Sequence, residues 1–303
     1  GIADAGEKVK SQVDGLTGIP IVSLYGNNKK PSAEQLKGID VLIFDIQDVG
    51  ARFYTYISTL HYVMEAAAEN EISVIVLDKP NPNGHYIDGP VLEKKYKSFV
   101  GMHPIPVVHG MTIGEYAQMI NGEAWLKNGL SCDLRVVNCL NYTHARVYNL
   151  PIAPSPNLPN LSSIYNYPSI CFFEGTEISV GRGTDKPFQQ IGHPDFKYYA
   201  HAFTPKPSFG SKNPKLKGQL CYGKYLGKEQ RPQQIEIKYL LEFYSQFPNK
   251  EEFFTNFFNL LAGNNELQEQ IKNGKTEEEI RSSWVEDLKH FRVIRNKYLI
   301  YPD

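Results

Sequence analysis

Short apolar runs, each followed by a stretch of helical periodicity, are the feature that most limits what this chain can fold into. Val41–Ile46 is apolar except for Asp45, and Ile72–Leu77 is apolar but for Ser73. Pro104–Val108 and Leu134–Val137 read as further strands. Strands apolar on both faces belong to parallel sheets covered on both sides by helices. Between the runs, Phe53–Asn70 carries Tyr56, Leu60, Val63 and Met64 on one helical stripe. A second helix opens at Thr112, where Thr112-x-x-Glu115 has the spacing of a capping box. Ile19–Tyr25 adds a strand and Pro31–Gly38 a short helix. The expected fold class is α/β, with a Rossmann-like parallel sheet and helices on both faces.

The character changes from Asn149. Pro151, Pro154, Pro156 and Pro159 preclude a regular element, so Asn149–Asn160 reads as a rigid extended connection. Gly175–Phe188 follows as a compact polar loop, then a Gly/Pro/Lys-rich stretch from Pro205 to Lys217. A strand is expected near Gln233–Ile237. Helices are expected at about Lys238–Phe247, Glu251–Asn259, Asn265–Asn273 and Glu277–Lys289, with the aromatic tail Val293–Tyr301 packing back on the body. The organisation expected is a Rossmann-like domain over residues 1–195 and a smaller α+β domain over 196–303.

Bulk properties remove several function classes. The formal net charge is −1 over 303 residues, without a basic stripe, so no nucleic-acid partner is expected. The longest apolar runs are far shorter than a membrane span, so an integral membrane protein is not expected either. No G-x-G-x-x-G or P-loop heads a helix, no G-x-S-x-G elbow is present, and no H-E-x-x-H is present. Neither a nucleotide cofactor nor a metal is expected. The four cysteines lack zinc spacing and read as free and buried. The chain opens on Gly1-Ile2-Ala3-Asp4-Ala5-Gly6, which reads as an exported, processed protein or as a truncated one.

Ligands of open parallel sheets bind beyond the carboxyl ends of the strands, so the residues after each apolar run are the informative ones. The first run delivers Asp45, Gln47, Asp48 and Arg52; the second delivers Asp78, Lys79 and Asn81; the third delivers His109. Carboxylates, a guanidinium, amides and an imidazole on one rim suit a polyhydroxylated acidic substrate. Tyr54 and Tyr56 add faces on which the apolar C–H side of a sugar ring can stack. Each has a plainer reading: Asp45 as a helix cap or a partner of Arg52, Asp48 as an N-cap, His109 as a loop histidine. In Gly181-Arg182-Gly183-Thr184-Asp185 the glycines permit sharp turns, and Arg182 could clamp a carboxylate or bridge to Asp185. Glu174, directly after Cys171-Phe172-Phe173, is a candidate acid or a structural carboxylate.

Several segments together resemble one family. They are S-L-Y-G at 23–26, F-D-I-Q-D-V-G-A-R-F-Y-T-Y at 44–56, L-D-K-P-N-P at 77–82, D-G-P-V-L at 88–92 and V-G-R-G-T-D-K-P-F at 180–188. The family is DUF1343, which contains the exo-β-N-acetylmuramidases called NamZ. The resemblance implies a glycoside hydrolase that releases N-acetylmuramic acid from the non-reducing end of peptidoglycan fragments, exported to the periplasm or beyond. It also implies that A-D-A-G-E at 3–7 follows a Gly-Pro-Glu-His-Gly stretch and a β-α-β unit in the family. The family's leading catalytic glutamate is therefore expected outside this sequence.

Glycoside cleavage needs a general acid and a second carboxylate, or an N-acetyl group that attacks in its place. Asp45, Asp48 and Glu174 are the carboxylates expected to serve. Gln47, Arg52, Tyr54, Tyr56, Asn81, His109, Arg182 and Asp185 are expected to bind substrate, with Arg182 or Arg52 on the lactyl carboxylate. Two other classes stay open: a periplasmic-type sugar-binding protein without turnover, and a metal-dependent phosphoesterase built on Asp45, Asp48 and Asp78.

Overall fold

The computed structural model describes residues 11–303 apart from Tyr25, Asn27, Lys228 and Glu229. The A-D-A-G-E segment at 3–7 and Tyr25 of S-L-Y-G lie outside the described residues. A hairpin of two-residue strands, β1 (Gln12–Val13) with β2 (Pro20–Ile21), precedes the short helix α1 (Ala33–Leu36). β3 (Val41–Phe44), α2 (Tyr56–Glu69), β4 (Ser73–Leu77), α3 (Ile113–Gly122) and β5 (Leu134–Val137) then form a parallel three-stranded sheet in the order β3-β4-β5. The Thr112–Glu115 capping box forms as its spacing predicts.

Phe44, Val74 and Val76 point into one core with Leu60 and Met64 of α2 and Tyr116 and Ile120 of α3. Both long helices therefore cover the same face. Val41, Ile43 and Val137 alternate with that set and are exposed, Ile43 by 65%. An apolar strand sequence does not say which of its faces a helix covers, and here the coverage is one-sided among the described residues. No described helix is long and apolar enough to cross a membrane.

The expected strand at Pro104–Val108 does not join the sheet. Pro104 and Pro106 have no N–H for a ladder. The segment instead offers carbonyls to other loops: Val107 accepts from Arg52 N and Ile105 from Leu92 N, at 2.8 and 3.1 Å. The connection through Pro154 leads to α4 (Leu161–Ile170), capped by Asn160 and Ser163. A second sheet follows, antiparallel, in the order β6 (Gln190–His193), β8 (Cys221–Tyr225), β7 (His201–Phe203). It already begins at Gln190, ahead of residue 196. The strand expected near Gln233–Ile237 is absent; that segment bends at Gln233 and Gln234 and turns at Ile237 into the next helix.

Helices α5 (Lys238–Gln246), α6 (Lys250–Phe253), α7 (Phe258–Ala262), α8 (Glu266–Lys272) and α9 (Glu277–Arg295) close the chain. A second core, rich in aromatic residues, joins Phe53, Tyr167, Phe172, Phe188, Phe196, Phe243 and Phe258, so it draws from both halves. The tail packs back as expected. Tyr301 is buried with its hydroxyl on Asp78 Oδ2 at 2.7 Å. All four cysteines are free, three of them buried.

Candidate active site

The strand-end residues separate once their surroundings are seen. Asp45 is exposed and pairs with Lys79 at 2.6 Å. Asp48 is buried; its Oδ2 accepts from Gly50 N at 2.7 Å, and its Oδ1 meets no hydrogen-bond partner among the described residues. His109, wholly buried, accepts from Met111 N through Nδ1, so Nε2 carries the proton and points at Asp48 Oδ2, 3.5 Å away. Asp78 accepts from Thr112 Oγ1 and Gly114 N at 2.7 and 2.8 Å, at the start of α3, and burial raises its carboxyl above the usual range. The three aspartates are thus engaged separately. Among the described residues, no group of three or more His, Cys, Asp or Glu side chains is arranged to hold a metal ion.

Three expected substrate contacts are engaged inside the protein instead. Gln47 donates through Nε2 to the carbonyls of Asp48 and Pro80, at 2.7 and 2.9 Å. Asn81 is buried, donating to Met111 O and accepting from Asn83 N, both at 2.8 Å. Arg52 is fully buried, and its terminal nitrogens donate to four carbonyls: Pro90, Ile105, Leu261 and Ala262, at 2.6–2.9 Å. Burial pushes its guanidinium down to about 9. Arg52 joins the motif loop to the C-terminal end of α7, and of its nitrogens only the buried Nε has no partner among the described residues. The apolar neighbours Val49, Ala51 and Phe53 were the sequence signal for that interior position.

Tyr54 and Tyr56 lead toward the other cluster. Tyr54 donates its hydroxyl to Pro154 O at 2.7 Å, and burial raises its phenol. Its ring meets Tyr56 edge-on at 5.3 Å and Tyr167 at 5.9 Å. Tyr167 meets Phe188 at 4.9 Å, and the Arg182 guanidinium lies over Phe188, 4.8 Å from the ring centre. Phe188 holds φ at +55°, a region that bulky side chains rarely occupy and that costs on the order of 1–3 kcal/mol. The left-handed turns at Gly181 and Gly183, both at φ +77°, present Arg182 above it.

Arg182 grips Glu174 through two nitrogens: Nε to Oε1, and Nη2 to Oε2 at 3.1 Å. The alternative reading, an Arg182–Asp185 bridge, is not the pair formed; Asp185 is exposed on the loop. Burial opposes the charge on Arg182, but Glu174's charge and hydrogen bonds overcome it and raise its pKa. Lys215, which the sequence reading did not single out, donates to the carbonyls of Glu174 (3.4 Å) and Thr176. Its burial lowers the ammonium's pKa. Behind the pair, burial and the nearby Glu174 keep the Cys171 thiol well above the ordinary range, so it is no nucleophile. The result is a partly exposed carboxylate, fixed on both oxygens, at the end of an aromatic wall leading from the 44–56 motif to the 180–188 loop.

The chain matches two family models, described as the N-terminal part of exo-beta-N-acetylmuramidase NamZ over residues 1–162 and its C-terminal part over residues 165–301. It is 43% identical to the peptidoglycan beta-N-acetylmuramidase NamZ of Bacillus subtilis (strain 168), over 99% of this chain and 77% of that protein. Two crystal structures of DUF1343 family proteins from Bacteroides fragilis are similar in fold. One has a TM-score of 0.91 at 48% identity, covering 96% of this chain and 82% of that one. The other has a TM-score of 0.81 at 32% identity, covering 95% and 82%.

Proposed function

Since this chain belongs to the exo-β-N-acetylmuramidase NamZ family, matched through both of its parts, we infer that it is a glycoside hydrolase releasing N-acetylmuramic acid from the non-reducing end of peptidoglycan fragments. The near-complete match to a relative of that activity carries this reading. The second half also argues against a binding protein of two like lobes, because it is a small antiparallel sheet with helices and not another strand–helix lobe.

Glu174 is the carboxylate assigned to the reaction. A carboxylate held in a guanidinium fork accepts hydrogen bonds on both oxygens. It is suited to act as nucleophile, to activate water, or to orient the N-acetyl group, and unsuited to serve as general acid. Arg182 fixes it through Nε and Nη2, which leaves Nη1 to meet the lactyl carboxylate of the sugar. Tyr54 and Tyr56 supply the apolar wall. Asp48 and His109 support the motif loop from behind, while Asp45 and Asp185 stand exposed at the rim. Peptidoglycan lies outside the cytoplasmic membrane, so the proposed place of action is the periplasm or the exterior.

Incubation of the protein with MurNAc–GlcNAc, with and without EDTA, tests the reading. Free MurNAc released at the same rate in both supports it. Binding without release would move the chain to a binding protein, and loss of release with chelator would call for a metal mechanism.

A further inference from the structure

Residues 205–218 form a closed loop whose base is tied by Gly218 N donating to Pro205 O at 2.8 Å. Both legs rest on the glycine that follows Arg182. Lys206 N donates to Gly183 O at 2.8 Å, and a Cβ on Gly183 would stand 2.6 Å from Pro214 Cγ. The returning leg carries Lys215, whose ammonium holds the carbonyls of Glu174 and Thr176. At the tip Ser208 and Ser211 exchange backbone hydrogen bonds at 2.9 and 3.1 Å, making Phe209 and Gly210 the central pair of a hairpin turn. Gly210 adopts φ +87° and its carbonyl accepts from Asn157 Nδ2 at 2.6 Å. A Cβ on Gly210 would stand 2.5 Å from Pro156 Cβ, so the tip sits on the proline-rich connection. Two residues back along that connection, Pro154 O holds the Tyr54 hydroxyl.

The loop therefore runs from the Glu174–Arg182 pair to the connection beside Tyr54, and it ends in an aromatic ring that is 71% exposed. Of the other exposed aromatics, Tyr198 bonds Gln246, Tyr225 lies beneath Lys186, and Phe257 is only half as exposed, at 37%. A tip pinned by backbone and side-chain bonds keeps Phe209 in place without covering it, and closed loops of this size often carry function. We propose that Phe209 is the stacking platform for the sugar on the leaving side of the scissile bond.

The assignment rests on the exo-acting glycosidase reading. An exo-acting enzyme takes the terminal muramic acid into the site and lets the rest of the chain leave across the rim. A rim aromatic then meets the residue that becomes the new end, the GlcNAc ring. That ring presents an apolar C–H face to a phenyl group without needing a hydroxyl partner.

The test compares MurNAc–GlcNAc with methyl β-N-acetylmuraminide, which has no leaving sugar. Phe209→Ala is expected to raise KM for the disaccharide roughly three- to tenfold at nearly unchanged kcat. The methyl glycoside is expected to be unaffected, and Phe209→Trp to restore the disaccharide KM. Because the side chain is exposed, the Tm of both variants stays with the parent, which keeps a folding defect out of the result. Equal effects on the two substrates, or none on either, would overturn the assignment. A parent protein silent toward both substrates would instead overturn the glycosidase reading itself.

Discussion

Two arginines, Arg52 and Arg182, each sit in a glycine-containing motif, and sequence alone offered both to the substrate's carboxylate. Their surroundings divide the work. Arg52 is sealed inside, bonded to four carbonyls from two loops and a helix end, and desolvation weakens its hold on its proton. Arg182 lies over a strained phenylalanine and is matched to a partly exposed carboxylate that strengthens its charge. The same guanidinium fork fixes backbone in one place and a reactive group in the other. Partner type separates them: carbonyls are stability contacts, while a carboxylate that still reaches solvent is a candidate for chemistry.

The largest expected effect breaks the first half of this contrast. Arg52→Ala leaves four buried carbonyls without donors and should destabilise the fold by about 4 kcal/mol, a Tm drop on the order of 10 °C. A Tm within a degree or two of the parent would end the structural assignment of Arg52.

Next in size is a pH effect on stability from the core between α2 and α3, the half that Arg52 locks. His61 Nδ1 lies 2.9 Å from His103 Nε2, and His103 Nδ1 lies 2.8 Å from the Tyr116 hydroxyl. Burial holds His61 down to about 4, and His103 well below its usual range. Unfolded, both titrate near 6.5, so the unfolded chain takes up protons that the folded one refuses. The stabilisation is whole above pH 6.5 and falls as pH drops toward 4, by roughly 3 kcal/mol for His61 alone. Urea midpoints between pH 7 and 4.5 should show the decline, and His61→Gln should make it shallower, leaving the part due to His103. An equally steep decline in that variant would place the effect elsewhere.

The smallest of the three concerns the second arginine. Arg182→Gln should cut kcat roughly 100-fold, about 2.7 kcal/mol. It should cost under about 1 kcal/mol of stability, because the pair is partly exposed. The reverse pattern, a large Tm loss with kcat preserved, would make the two arginines alike and dissolve the contrast.

The sheet was legible because apolar runs and the Thr112–Glu115 cap are local properties of the chain. Pro104–Val108 misled because apolarity outranked its two missing N–H groups. The open sheet face was not legible either, since Val41 and Ile43 read the same covered or bare. At the site, the residue types were found but not their pairings. Glu174 and Arg182 are eight positions apart, and the turn that pairs them, with Gly181 at φ +77° just before Arg182, is not written in either residue. Lys215 and Phe209 sit in a stretch that looked like plain Gly/Pro/Lys-rich loop, and its turn signals, Gly210 and Asn213-Pro214, did not say which residues the loop would bring to the site.

The four bonds of Arg52 also set an order of events during synthesis. Pro90 and Ile105 are available early, but Leu261 and Ala262 follow Arg52 by 209 and 210 positions. At a bacterial or similar pace of roughly 5–20 residues per second, the stretch from Ile105 to Ala262 takes on the order of ten to thirty seconds to emerge. Through that interval the loop bearing Tyr54 is anchored on one side only. The nascent chain therefore holds the strands β3, β4 and β5 well before α7 arrives to complete the hold on that loop.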